Sequence, residues 1–139
     1  RSKSRIETVG RLNEIINESI PARFKNDGHP SKRTFQALRI EVNGELDGLG
    51  EAITDMARGL KKGGRLAVIT FHSLEDRIVK RVFKELETDC ICDKSLPVCV
   101  CGKKKEIEII TKHPITASEE EQALNGRSKS AKLRIAERV

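Results

Sequence analysis

The chain has 139 residues, with 27 Lys+Arg against 21 Asp+Glu, a formal net charge of +6 and a pI near 9.3. Charged residues make up 35% and hydrophobic residues 37%, with four Phe and no Trp or Tyr, so a soluble globular chain with a small aliphatic core is expected, as one domain or parts of two. A fibrous repeat and a bilayer-spanning apolar run are excluded, and the scarcity of aromatics argues against RNA platforms that work by base stacking.

The first candidate helix runs from about Thr8 to Ile20, where Ile6, Val9, Leu12, Ile16 and Ile20 recur every three or four residues and Pro21 marks the end. A loop follows through Asn26, Asp27, Gly28, His29 and Pro30. A second helix starts near Ser31 and runs towards Asn43. Phe35, Leu38, Val42 and Leu46 fall on its apolar face, Arg33, Gln36 and Asn43 on the other, and Arg39 at the border. Residues 1–39 hold nine basic and four acidic side chains, net +5, whereas residues 40–60 hold one and five, net −4. The front of the chain therefore suits a polyanion bound by shape and phosphate contact, and the second helix is its best binding surface. A solvated helix face is the plainer alternative.

A third apolar stripe runs through Leu46, Leu49, Ile53, Met56 and Leu60 to a stop at Gly63-Gly64. The period then changes. Arg65 to Phe71 is a nearly continuous apolar run, expected to be a strand buried on both faces, and a helix follows through Leu74, Ile78, Val82 and Leu86. Helix–strand–helix order predicts a parallel α/β sheet. Two more strands are expected at Glu106–Thr111 and Lys132–Arg138, with residues 112–130 as loop and one helical turn at Ser118–Leu124.

The densest cluster of reactive side chains lies where the first strand meets its helix, at His72, Ser73, Glu75, Asp76 and Arg77. Open α/β sheets bind ligands at the carboxyl ends of strands, which is where this junction falls. Ser73 and Asp76 also read as a capping box, and Glu75 as a complement to the helix dipole. His72 is left without a capping role. Gly63-Gly64 precedes a strand, so it is no phosphate cradle, and neither G-x-G-x-x-G nor a Walker A sequence occurs.

Cys90, Cys92, Cys99 and Cys101 form C-x-C-x6-C-x-C. Alternate residues of an extended chain point the same way, so a hairpin turning over Asp93–Pro97 would present all four sulfurs together. Zinc, disulfides and reduced thiols are the three readings.

Three ordered stretches, taken together, resemble a known family. They are His29-Pro30-Ser31-Lys32-Arg33-Thr34-Phe35-Gln36-Ala37-Leu38-Arg39, continuing to Leu46; Gly63-Gly64-Arg65-Leu66 through Phe71-His72-Ser73-Leu74-Glu75-Asp76-Arg77 to Lys80; and Asn125-Gly126-Arg127-Ser128-Lys129-Ser130 through Arg138. The chain is similar in these to the bacterial 16S ribosomal RNA cytosine-N4 methyltransferases, the RsmH or MraW family, and specifically to their C-terminal half.

The resemblance implies an α/β fold: the C-terminal half of a class I (Rossmann-like) methyltransferase sheet, preceded by part of a helical substrate-recognition domain. Residues 1–43 would end the helical insert. Residues 44–139 would carry the last three strands of the catalytic sheet, the final one antiparallel, with a Cys-containing insertion at 88–104. It implies S-adenosylmethionine as methyl donor, with the donor motifs upstream of Arg1, so no donor-binding residue is assigned and the fragment alone is expected to be inactive. His72, Ser73, Glu75 and Asp76 would line the target pocket. Arg33, Gln36, Arg39, Asn43, Arg77, Lys80 and Arg127 would contact 16S rRNA in the small ribosomal subunit, in the cytoplasm and with no membrane. A non-enzymatic, zinc-stapled RNA-binding module is the alternative. An apolar edge left open on Arg65–Phe71 would favour self-association.

Overall fold

The computed structural model describes residues 5–21, 30–93 and 98–139. Two compact units emerge, Arg1–Glu45 and Leu46–Val139. Part of the loop expected around Asn26–His29 and of the turn expected over Asp93–Pro97 lies outside the described residues.

The first unit holds α1 (Val9–Ser19) and α2 (Lys32–Asn43). Thr8 caps α1 by accepting the Arg11 N–H at 3.1 Å, and Ile16 is its buried residue. α2 ends at Gly44, whose left-handed backbone (φ 59°) suits a residue without Cβ. The expected apolar face of α2 is not enclosed. No α2 residue is buried, and Val42 is 81% exposed. Among its described residues this unit has only its two helices with which to cover that face.

The second unit runs α3 (Leu49–Gly59), β1 (Arg65–Thr70), α4 (Ser73–Glu87), β2 (Ile107–Ile109), β3 (Ile115–Thr116), α5 (Glu119–Leu124), a 3-10 turn at Gly126–Ser130 and β4 (Lys132–Arg138). The turn into β1 needs its glycines. Gly63 has φ 80°, and a Cβ on Gly64 would sit 2.8 Å from the Lys61 carbonyl oxygen. β4 runs through the middle of the sheet, in the order β1-β4-β2, with β3 also pairing to β4.

Every described pairing is antiparallel, which corrects the parallel sheet expected from element order. β1 and β2 do run in the same direction, as a helical crossover requires, but the last strand lies between them. Chain order alone does not reveal such an insertion. It does agree with what the resemblance implied, a terminal antiparallel strand.

α3 and α4 cover one face of this sheet. Ile53 and Ala57 of α3, Val79, Val82, Phe83 and Leu86 of α4, and Ile107 and Ala136 of the sheet form the core, with Leu66 and Val68 packed against it. Along β1 the inward residues Leu66, Val68 and Thr70 alternate with exposed Arg65, Ala67 and Ile69. Ile69 is 58% exposed and registers with Leu133, as Ala67 does with Ile135. β1 is thus buried on one face, not two. The apolar run reports the chemistry of both faces but not which of them is covered.

Candidate functional site

β1 ends at buried Thr70, whose hydroxyl donates to the Lys132 carbonyl at 3.4 Å. α4 starts three residues later. Its cap is His72, not Ser73. The imidazole Nδ1 accepts the Glu75 N–H at 3.3 Å, and the Glu75 carboxylate accepts the N–H groups of Phe71 at 2.8 Å and His72 at 3.1 Å. This reciprocal box occupies Glu75 and fixes the backbone of Phe71 and His72. With Nδ1 an acceptor, the neutral ring carries its proton on Nε2. That atom is shielded from solvent and has no hydrogen bond among the described residues, although a Glu75 oxygen lies 3.4 Å away.

Asp76 is not part of the cap either. One turn into α4 it faces the sheet and takes a two-pronged bond from Arg134 of β4, at 2.7 and 3.2 Å, with Lys132 at 3.6 Å. Both partners of the main pair are buried. The Arg134 hydrogen bonds hold the Asp76 carboxyl below its ordinary range, outweighing the burial that would raise it. Its negative charge therefore anchors the first turn of α4 to β4.

What remains outward at this junction is Phe71, which is 56% exposed, Ser73 at the first position of α4, and Leu74, which is 37% exposed. Phe71 is not among the candidate site residues of the sequence reading. The available signal was an aromatic at a strand end in a chain with four Phe and no other aromatic of its size. From Ser73 the exposed side chains Arg77, Lys80 and Lys84 follow at helical spacing, forming a basic stripe down the outer face of α4. Lys84 pairs with Glu87 at 3.2 Å, whereas Arg77 and Lys80 make no ion pair among the described residues. Arg127 is exposed in the 3-10 turn just before Lys132, and Lys132 registers with Thr70. It thus enters the sheet at the same end as the β1–α4 junction.

Arg33, Gln36, Arg39 and Asn43 belong to the other unit. Arg33 is exposed and Gln36 half-buried. Arg39 and Asn43 converge on Glu45, at 2.9 and 3.1 Å, which places two intended RNA contacts on one carboxylate.

The four cysteines are free thiols and come together, with their sulfurs all within 4.8 Å of one another. No strand is assigned to the flanking segments among the described residues, so the convergence does not depend on the regular hairpin expected. Hydrogen bonds from the Ile91 and Lys103 N–H groups bring the Cys101 thiol down to about 6. At Cys90 the Cys92 N–H pulls downward, but hydrogen bonds with the neighbouring sulfurs push the thiol up to about 12. The group could hold a metal ion.

The family model described as the MraW methylase family matches residues 1–139. Over all 139 residues the chain is 59% identical to proteins named ribosomal RNA small subunit methyltransferase H from Clostridium botulinum strains Hall and ATCC 19397. It is 56% identical to the protein of that name from Caldicellulosiruptor saccharolyticus. Each match covers the whole of this chain and 45% of the relative, so the chain spans a little under half the length of these relatives.

Proposed function

Because the chain belongs to the MraW methylase family, we propose that it is the substrate-side part of an S-adenosylmethionine-dependent enzyme that methylates the N4 amine of a cytidine in 16S rRNA of the small ribosomal subunit. The observation that carries this reading is the family match across every residue, joined to relatives named for small-subunit rRNA methyl transfer. A ribosomal substrate puts the protein in the cytoplasm. Among the described residues no helix is long and apolar enough to cross a membrane.

S-Adenosylmethionine would supply an activated methyl group. The described residues do not fit the donor itself. The β1–α4 junction contains no glycine, and its Phe71, His72 and Glu75 amides are already engaged in the reciprocal cap. No step is therefore assigned to donor binding here, and the chain by itself is inactive in this reading.

The chain's own contribution is to the RNA. A cytidine amine is a poor nucleophile because its lone pair is delocalised into the ring, so holding it in line provides much of the acceleration. Extruding the base from its stack exposes a π face, for which Phe71 is the exposed aromatic partner at the strand end. The Ser73 hydroxyl stands beside it to hydrogen-bond the base edge. His72 and Glu75 act as positioning residues behind them, and Asp76 holds the helix that carries them. Arg77, Lys80 and Arg127 at this end of the sheet, and Arg33, Gln36, Arg39 and Asn43 in the first unit, bind the RNA backbone.

The test is methyl transfer from labelled donor to unmodified small subunits. The chain alone would be run beside the full-length Clostridium botulinum relative carrying these 139 residues in place of its own matched segment. Transfer by the chimera only is expected. If neither transfers while both bind the subunit, the methyltransferase reading fails. The convergence of four thiols would then favour a metal-stapled RNA-binding module.

A further inference from the structure

Between the end of α4 at Glu87 and the start of β2 at Ile107, no described residue is buried. Nineteen residues are long for a connection inside a compact unit, and the described ones among them have no apolar core of their own, so something else must order those. Glu106, at the far end of the connection, is held by Arg58 and Arg138, and the thiol cluster is the candidate for the stretch before it.

Its geometry is specific. The Cys90–Cys99 and Cys99–Cys101 sulfur separations are 3.5 Å, Cys92–Cys99 is 3.8 Å and Cys90–Cys101 is 3.9 Å. Four sulfurs around one tetrahedral zinc at about 2.3 Å define edges of about 3.8 Å, whereas a bonded sulfur pair lies at about 2.05 Å. The sulfurs are thus spaced for one shared ion rather than for two bonds or for a multi-iron cluster.

Backbone N–H groups point at three sulfurs, from Val100 to Cys92 at 3.3 Å, Cys92 to Cys90 at 3.4 Å and Ile91 to Cys101 at 3.5 Å. Gly102, with φ 62°, turns the chain just after the last ligand, and Lys103, Lys104 and Lys105 follow to offset the double negative charge of a four-thiolate zinc site. From these observations we propose that Cys90, Cys92, Cys99 and Cys101 form a closed structural zinc site that folds the 88–106 segment. Four protein ligands leave no open position, so the ion staples and does not catalyse. Soft thiolates in tetrahedral array select zinc over the oxygen-seeking divalent ions.

The proposal is independent of methyl transfer and is tested without it. The whole chain, purified without chelator, is analysed for metals by mass spectrometry, and its metal-free form is titrated with cobalt(II). The expected result is about one zinc per chain and the intense visible absorption of a tetrahedral cobalt–thiolate site. Cys99→Ser should remove the zinc while the helical circular dichroism of the core persists. Gly102→Ala should keep all four ligands and weaken zinc binding by about 5- to 30-fold, the cost of about 1–2 kcal/mol for a Cβ in the left-handed region. Four freely titrating thiols with no cobalt spectrum, two disulfides, or iron as the main metal would each overturn the proposal.

Discussion

The ion pair between Asp76 and Arg134 links the first turn of α4 to the central strand, and Asp76→Asn tests what it holds. The asparagine keeps the shape but leaves Arg134, with 8% of its side chain exposed, facing Lys132 without a counter-charge. Removing one partner of a buried pair costs about 3–5 kcal/mol. With a urea m-value of about 1 kcal/mol/M for a unit of this size, the unfolding midpoint should fall by roughly 3–5 M. The pH dependence carries a sign. Folding lowers the Asp76 pKa, so its stabilisation is complete above the unfolded value of about 3.9 and is lost as pH falls through the lower folded value. Asp76→Asn should therefore be less stable than the parent at neutral pH and converge with it in acid. The double change Asp76→Leu with Arg134→Met should recover much of the loss, because it leaves no buried charge behind. The assay is urea unfolding followed by circular dichroism at several pH values. A midpoint shift under about 0.5 M, or a variant that parallels the parent down to pH 2, would show that the pair does not anchor α4.

In the full-length chimera, His72→Ala should cost about 0.5–2 kcal/mol in stability through loss of the cap and lower turnover with it, while His72→Asn, itself a good cap, restores both. Recovery of stability without turnover would mean that the imidazole touches substrate, against the positioning role. Phe71→Ala should weaken binding of the target RNA by about 5- to 150-fold, the equivalent of about 1–3 kcal/mol of base stacking, and unchanged affinity would remove Phe71 from the site. Replacing Arg77 and Lys80 together with Gln should reduce the dependence of log affinity on log salt by about two and weaken binding evenly across sequences. A loss confined to one sequence would contradict a phosphate role. The exposed Ile69 and the second edge of β1, which no described strand pairs, should support self-association at high concentration. Ile69→Lys should reduce it in light scattering, and a monomeric parent would refute the expectation.

The elements were legible where periodicity was strong. The spacing from Val9 to Ile20 marks α1 to within a residue or two, and Lys132–Arg138 is a strand over the limits expected. The failures have a common cause in tertiary context. That β4 lies between β1 and β2 is a choice of partner, and partner choice leaves no trace in local pattern. The same holds for the two-residue β3, whose pairing with Leu133 and Lys132 exists only because β4 is beside it. The apolar run of β1 likewise marks a strand without marking a covered face.

The junction was located from its residue types but divided wrongly. Ser-x-x-Asp at positions 73 and 76 satisfies the rule for a capping box, and so does the shift by one residue that the structure adopts, with an imidazole nitrogen in place of a hydroxyl. What decides between them is Arg134, fifty-eight residues away, which claims Asp76 for the sheet and leaves the cap to His72 and Glu75. The consequence reaches function. A carboxylate bound in two prongs by a buried guanidinium, with Lys132 at 3.6 Å, is turned to the sheet and charge-paired there, whereas Ser73 and Phe71 remain outward on a backbone pinned from behind. The cluster thus separates into residues that hold the junction still and residues left outward, which the proposed function assigns to the RNA, and a substitution in the first set should appear in unfolding before it appears in binding.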